Sequence, residues 1–325
     1  MIGIRIISPA DNTGFRIEPG TEATGAQMPV IMAEAGITGL TPDPSSSTRF
    51  TWLVKIHFQC SDCRNGLDRE ITDEFRLTSI GGKCAIKFPR VRGGDLTITV
   101  SADLATGSYE KISKGLKIRG VNPARHEINA ACGVVALQKI CCRESGRRQF
   151  DAVAETGASN CPLFSGDGLG GVGLMQITNP APTEDDHWDW RANINHGVQI
   201  FNSKRALASR YPARVRGSAE FRKLAQHFNA GRNPPVNVVL PDFTPAQLEL
   251  DAIRGYNGWA GRDAFGQVLH EFRVPLDAQG NLRVNLDAEN RGLIVWEQVP
   301  AGDRPHGAGS WGDPDYVAHV QGQIP

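Results

Sequence analysis

The sequence predicts an α+β protein, with short strands in its first third and helices interrupted by a late hairpin in the remainder. Three observations predict it. From Phe50 to Phe58 the apolar side chains occupy every second position, the period of a half-buried strand. After Asn122-Pro123 the apolar spacing lengthens to that of a helix. The chain has 325 residues, 40% hydrophobic and 22% charged, which at roughly 100 to 200 residues per domain predicts two domains with real cores.

Taken in order, residues 1–28 mix Gly, Pro, Thr and Glu and are expected to form an N-terminal arm. In Phe50-Thr51-Trp52-Leu53-Val54-Lys55-Ile56-His57-Phe58 the odd half of the pattern, Phe50, Trp52, Val54, Ile56 and Phe58, falls on one face. Leu96-Thr97-Ile98-Thr99-Val100 repeats it, and Cys84–Phe88 and Leu116–Ile118 are shorter strands. Gly81-Gly82 and Gly93-Gly94 are turn signals between them. Several short strands without a comparable helix predict a small Ig-like β-sandwich over 29–121.

From 122 onward the expectation is an α-rich domain reaching 325. Asn122 as N-cap and Pro123 at the first helical position start a helix that runs through Cys142 and stops at Gly146. Val134, Leu137, Cys141 and Glu144 lie three, seven and ten positions along one stripe, so a carboxyl group ends an apolar face. Further helices are expected over Asp189 to Ser209, Ser218 to His227 and Thr244-Pro245 to Tyr256. A hairpin, Gln267 to Val274 and Leu282 to Val299, turns at Asp277-Ala278-Gln279-Gly280.

Composition excludes some classes of function. The 35 Lys+Arg balance 35 Asp+Glu, so no general field draws the chain to nucleic acid or to an anionic membrane. No apolar run approaches the roughly 20 residues of a spanning helix, and the N-terminus has no basic, long-apolar leader, so no membrane insertion and synthesis in the cytoplasm without a secretory signal are expected. Seven cysteines are an odd number and suit reduced core thiols. His57, Cys60, Cys63 and Cys84 have zinc-ligand chemistry, but no second Cys-x-x-Cys follows, and buried thiols or a local disulfide are preferred. Cys141 and Cys142 lack an arranged His base, and Gly168-Leu169-Gly170-Gly171 lacks the Lys-Ser/Thr of a phosphate loop. No metal and no cofactor are expected.

Four motifs carry the chemistry: Cys142-Arg143-Glu144-Ser145-Gly146, Gly173-Leu174-Met175-Gln176-Ile177, Asn193-Ile194-Asn195-His196-Gly197 and Gly255-Tyr256-Asn257-Gly258. With Asp315-Tyr316-Val317 near the C-terminus, this order resembles the soluble lytic transglycosylases and related goose-type-like muramidases of the lysozyme superfamily. The resemblance covers about Pro123 to Val320 and implies a lysozyme-like catalytic domain acting on peptidoglycan glycan strands. Glu144 is implied as the catalytic acid, and Ser145, Gly173, Met175, Gln176, Tyr256, Asn257 and Tyr316 as substrate-binding residues. A competing match at Leu224–Gly231 has Phe228 in place of the family tyrosine, so Tyr256 is preferred.

The residues support Glu144 on their own terms. Glycosidic cleavage needs a carboxylic acid that keeps its proton near neutral pH, and partial burial beside apolar groups raises a Glu pKa. The competing reading is a last-turn residue paired with Arg147 or Arg148. Leu174 and Ile177 are read as core, and Asn193 and Gly197 as a hydrogen-bonding residue and a close helix contact. Asp185, Asp186 and Asp167 are the candidate second carboxylates of a hydrolytic muramidase, although the run Thr183–Asp186 also reads as a solvated surface. A catalytically silent glycan-binding or tail-structural module is the alternative from another class. The reading implies action in the periplasm or cell wall of a target cell, with delivery by a type VI secretion or phage tail component and an immunity protein as partner. On this division a fragment starting near Gly120 is expected to fold alone.

Overall fold

The computed structural model describes residues 2–60, 69–152, 157–166, 169–305 and 312–325. It is mixed α+β, with 28% helix and 30% strand. The chain divides into two compact units, Met1–Val134 with Glu144–Gly197, and Val135–Arg143 with Val198–Pro325.

The first unit is built on β1 (Gly3–Ser8), β2 (Gly14–Arg16), β3 (Ile31–Thr38), β4 (Arg49–Cys60), β5 (Arg69–Ile80), β6 (Lys83–Ile86), β7 (Gly94–Leu104), β8 (Gly107–Ile112) and β9 (Leu116–Val121). It continues through α1 (Arg125–Cys132), the end of α2 (Val135–Ser145), β10 (Ala158–Ser159), α3 (Glu184–Trp188) and the start of α4 (Trp190–Gly217). One sheet has the order β1-β3-β6; a larger one runs β10-β9-β7-β4-β5, with β2 on β9 and β8 on β7. The inward positions are those the alternation requires: Phe50, Trp52, Val54, Ile56 and Phe58 of β4 and Leu96, Ile98 and Val100 of β7 are all buried. They share one apolar cluster with Ala33, Ala35 and Ile37 of β3, so both sheets contribute to a single core.

Two expectations are corrected here. Residues 1–28 are not a free arm: β1 pairs antiparallel with β3, and β2 pairs parallel with β9. Nor does the first unit end at residue 121. Phe150, Phe164, Val172 and Trp188 belong to the same apolar cluster as the strands, with Trp188 edge-on to Phe58 at 5.2 Å and 5.7 Å from Phe150. Around it Arg92, 2% exposed, joins Asp185 at 2.7 Å and Glu184 at 3.2 Å. Trp190 Nε1 donates to Pro19 O and Arg191 pairs with Glu22, which ties the N-terminal segment to the same helices.

The expected helix from Pro123 to Cys142 is two helices. Gly133 at φ +72° breaks it, a backbone conformation that costs glycine nothing, and α2 begins two residues later. Ala124 rather than Asn122 occupies the cap position. Cys60 is disulfide-bonded and Cys84 is a free buried thiol, so the metal reading of His57, Cys60 and Cys84 has no support; Cys63 lies outside the described residues.

The second unit holds the rest of α2 and α4, then α5 (Ala219–Phe228), β11 (Val238–Val239), α6 (Pro245–Asn257), β12 (Phe272–Arg273), β13 (Asn285–Leu286), β14 (Gly292–Leu293), β15 (Glu297–Gln298) and α7 (Tyr316–Gln321). Local signals set these helices: Ser218 Oγ caps Phe221 N–H of α5, and Thr244 with Gln247 forms a capping box before Pro245 of α6. The expected single hairpin is two small sheets, β12-β15 and β11-β14-β13, over a core of Tyr211, Phe272, Ile294 and Trp296. Beneath them lies a buried ionic group. Glu271 accepts from Arg254 Nε at 3.0 Å and from Arg304 Nη2 at 2.7 Å, and Asp251 holds His270 Nδ1 at 2.6 Å.

Candidate active site

Glu144 sits in the last turn of α2, half-buried, one residue before the helix stops. The chain then reverses through Gly146 and Arg147, at φ +60° and +63°. Ser145 is only 5% exposed, and its hydroxyl accepts Arg148 N–H at 3.2 Å. The structure therefore makes Ser145 a closing group for the turn after Glu144, not an exposed glycan contact. Arg148 Nη1 is turned to Ala152 O at 3.2 Å, with its Nε near Ser145 O.

The turn delivers Gln149 into the interior. Asn122 Oδ1 accepts both Gln149 N–H and Phe150 N–H at 2.8 Å, which is why Asn122 is buried instead of capping a helix. The Gln149 side chain then reaches two elements. Its Oε1 accepts Leu174 N–H at 3.2 Å, and its Nε2 donates to Asp186 O at 2.8 Å and His187 O at 3.0 Å. Asn193 completes the arrangement: Oδ1 accepts Met175 N–H at 2.9 Å, and Nδ2 donates to Val172 O and Asp186 O. Every polar atom of this buried amide pair is used, as burial demands.

The Gly173–Ile177 motif is a tight loop closed by reciprocal hydrogen bonds between Val172 and Ile177. Gly173 has φ +71°, and a Cβ on it would lie 2.6 Å from Asn193 Nδ2 and from Gln149 Oε1, so both conformation and space require glycine. Leu174 and Ile177 are core residues as expected. Met175 is 0% exposed and packs on Gly197, where a Cβ would meet Met175 Cγ at 2.6 Å. This differs from the substrate-binding role expected of Met175; Gly197 is the close helix contact anticipated. Gln176 is the partly exposed member of the loop, at φ +46°, with its Nε2 on Gly173 O at 2.8 Å.

Of the acidic run, Thr183, Glu184 and Asp185 are exposed, as the solvated-surface reading expects, and Asp186 alone is buried. Thr183 caps α3, and Asp186, buried, accepts from Thr183 N and Oγ1 and from His196 Nδ1 at 2.9 Å. Asp185 has a 61% exposed side chain but is bound to Arg92. Asp167 lies outside the described residues. Beside Asp186, His187 Nδ1 donates to Thr183 O at 2.7 Å while its buried Nε2 has no partner. Burial pushes this imidazole below its ordinary pKa of 6.5, with Arg69 and Arg92 adding to the effect, which favours its neutral form. Burial conversely raises the Asp189 carboxyl.

The remaining sequence-predicted residues belong to the second unit. Tyr256 is half-buried in the last turn of α6. Asn257 is occupied as a tether, its Oδ1 accepting Asp313 N–H at 2.7 Å. Tyr316 is 3% exposed at the start of α7, a core ring and not an exposed contact. Among the described residues no group of three or more His, Cys, Asp or Glu is arranged to hold a metal ion, and no helix is long and apolar enough to cross a membrane.

Sequence reasoning missed Gln149 and misassigned Asn122. Both are amides whose importance lies in contacts 25 to 38 residues away, for which local periodicity carries no signal. Comparison with protein-family models, with curated proteins and with solved structures finds no match to the chain.

Proposed function

We propose that the protein is a peptidoglycan-cleaving glycosidase, with an Ig-like sandwich and a lysozyme-like region, that breaks the β-1,4 bond between N-acetylmuramic acid and N-acetylglucosamine by lytic transglycosylation. The observation that carries this reading is the linkage of Glu144 to the Gly173–Ile177 loop: a four-residue turn leads from the acid to Gln149, whose amide holds Leu174. An acid at a helix end and a pre-shaped loop are thereby fixed in one compact unit, the arrangement that proton delivery to a bound glycan requires.

In this mechanism the Glu144 carboxyl protonates the leaving oxygen. As carboxylate it then takes the proton of the sugar's own C6 hydroxyl, which closes a 1,6-anhydro ring and needs no second catalytic carboxylate. The engagement of Asp186 in a capping box and of Asp185 with Arg92 favours this course over water activation. Gln176 is the glycan contact in the unit that holds Glu144, and delivery of the enzyme to a target cell wall, with an immunity protein to block it, completes the proposal.

Digestion of purified sacculi followed by mass spectrometry tests it. The wild-type chain is expected to release muropeptides, and a folded Glu144→Gln chain is expected to be slower by at least the roughly 10²–10⁴ of general acid catalysis. Equal release by both proteins removes Glu144 from the reaction; no release by the wild type removes the activity.

A further inference from the structure

We infer that Gln149 and Asn193 are positioning residues of the cleavage reaction, a buried amide pair that fixes the loop at Gly173–Gln176 relative to the Glu144 end of α2. The inference rests on the proposed glycosidase reading; Gln149 lies outside the catalytic motifs, and Asn193 gains a role toward the loop beyond its place in one of them.

Three features of the site lead to it. First, the pair controls the loop backbone directly: Gln149 Oε1 and Asn193 Oδ1 accept successive amides, Leu174 N–H and Met175 N–H. Second, the two amides share an anchor. Gln149 Nε2 and Asn193 Nδ2 both donate to Asp186 O, so the loop is referenced to α3, whose own start is fixed by the Thr183–Asp186 capping box. Third, Gln149 is tied to the acid through covalent chain and hydrogen bonds. Ser145 Oγ closes the turn on Arg148 N–H, and Asn122 fixes Gln149 and Phe150.

The loop cannot relax around a missing partner without cost. Gly173 is packed between both amides, Gln176 is held at positive φ, and Met175 fills the space over Gly197. Loss of one acceptor leaves a buried N–H unsatisfied, which drives the loop to a new position. Displacements near 1 Å are enough to cost on the order of 10²-fold in rate. Neither amide is required to touch substrate; the effect runs through the loop and falls on turnover.

The test uses the full-length chain with Gln149→Met, which keeps volume and removes the amide, and Asn193→Ser, which keeps a hydroxyl too short to span Met175 N–H and Val172 O. Turnover and KM on soluble glycan strands are measured beside hydrogen exchange of the segment 172–177. In whichever variant retains a cooperative thermal transition, exchange of that segment is expected to quicken and turnover to fall roughly 10- to 100-fold with KM nearly unchanged. Gln149→Glu, which retains the acceptor for Leu174 N–H, is expected to recover part of the turnover. A folded variant with faster loop exchange and wild-type turnover overturns the inference, as does a loss confined to KM. An inert wild type instead overturns the glycosidase reading beneath it, and the two failures are separated by the wild-type rate alone.

Discussion

Trp188 lies against Gly93 so closely that a Cβ on the glycine would sit 2.1 Å from Trp188 Cζ3. The contact joins the loop before β7 to the helix that carries the acidic run, within the compact unit and apolar cluster that the strands share with residues 144–197. Gly93→Ala is therefore an overpacking substitution, expected to cost about 1–3 kcal/mol and several degrees of Tm. A fragment beginning at Gly120 fares worse, because it strips Trp188, Phe150, Phe164 and Val172 of their cover. It is expected to lack a cooperative thermal transition and to digest no peptidoglycan. An unchanged Tm for Gly93→Ala, or a folded, active fragment, would show that the shared core contributes nothing.

How far the sequence foretold this differs by element, for physical reasons. β4 and α6 were legible because their signals are local: strict alternation from Phe50 to Phe58, and Thr244-Pro245 with Gln247 at the capping-box position. β3 was not, since Ile31-Met32-Ala33-Glu34-Ala35 is rich in helix-favouring residues and becomes a strand only through its partners β1 and β6. The 122–142 stripe concealed a break because Val134 fits the period yet lies exposed beside Gly133. At the site, Gly173, Gln176 and Glu144 stood out by type and spacing. That Met175 and Tyr316 point into cores depends on long-range packing, which a motif does not encode.

Glu271 neutralises two buried guanidinium groups, Arg254 and Arg304, in the second unit. Removing it leaves both without their carboxylate in a low-dielectric interior. Glu271→Leu is expected to destabilise the chain by about 3–5 kcal/mol, the usual cost of breaking a buried pair from one side. Denaturant unfolding measures this directly, and a loss under 1 kcal/mol would mean that the group is stabilised by solvent instead.

His187 sets a pH dependence of defined sign. Its folded pKa lies below the ordinary 6.5, so the unfolded chain binds the proton more readily. The stabilisation is complete above about pH 6.5 and is lost as pH falls toward the folded value. His187→Asn keeps a donor for Thr183 O without a titrating ring. Between pH 7 and 5 the wild-type Tm is expected to fall more steeply than that of the variant. Asp189, raised by burial, works in the opposite sense at lower pH but is common to both proteins and cancels in the difference. Parallel Tm profiles would remove His187 as the source.

The two adjacent carboxylates Asp185 and Asp186 separate the proposed transglycosylase from a hydrolytic muramidase. Asp186 is buried and accepts from Thr183 N, Thr183 Oγ1 and His196 Nδ1, so Asp186→Asn removes a capping charge and weakens three hydrogen bonds and is expected to cost about 1–3 kcal/mol. Asp185 is exposed, and although its partner Arg92 is buried, that guanidinium keeps Glu184 and Val91 O, so Asp185→Asn is expected to cost only about 1 kcal/mol. If the C6 hydroxyl is the nucleophile, neither side chain handles a proton in the reaction. Both variants, assayed below their Tm, then retain most of the wild-type turnover, and the products carry 1,6-anhydro ends lighter by one water than hydrolytic products. A muramidase requires a base to activate water, placed roughly 6.5–9.5 Å from the acid if it inverts. Reducing-end products together with a stable but inert Asp185→Asn chain would assign that base to Asp185 and replace the transglycosylase mechanism with hydrolysis.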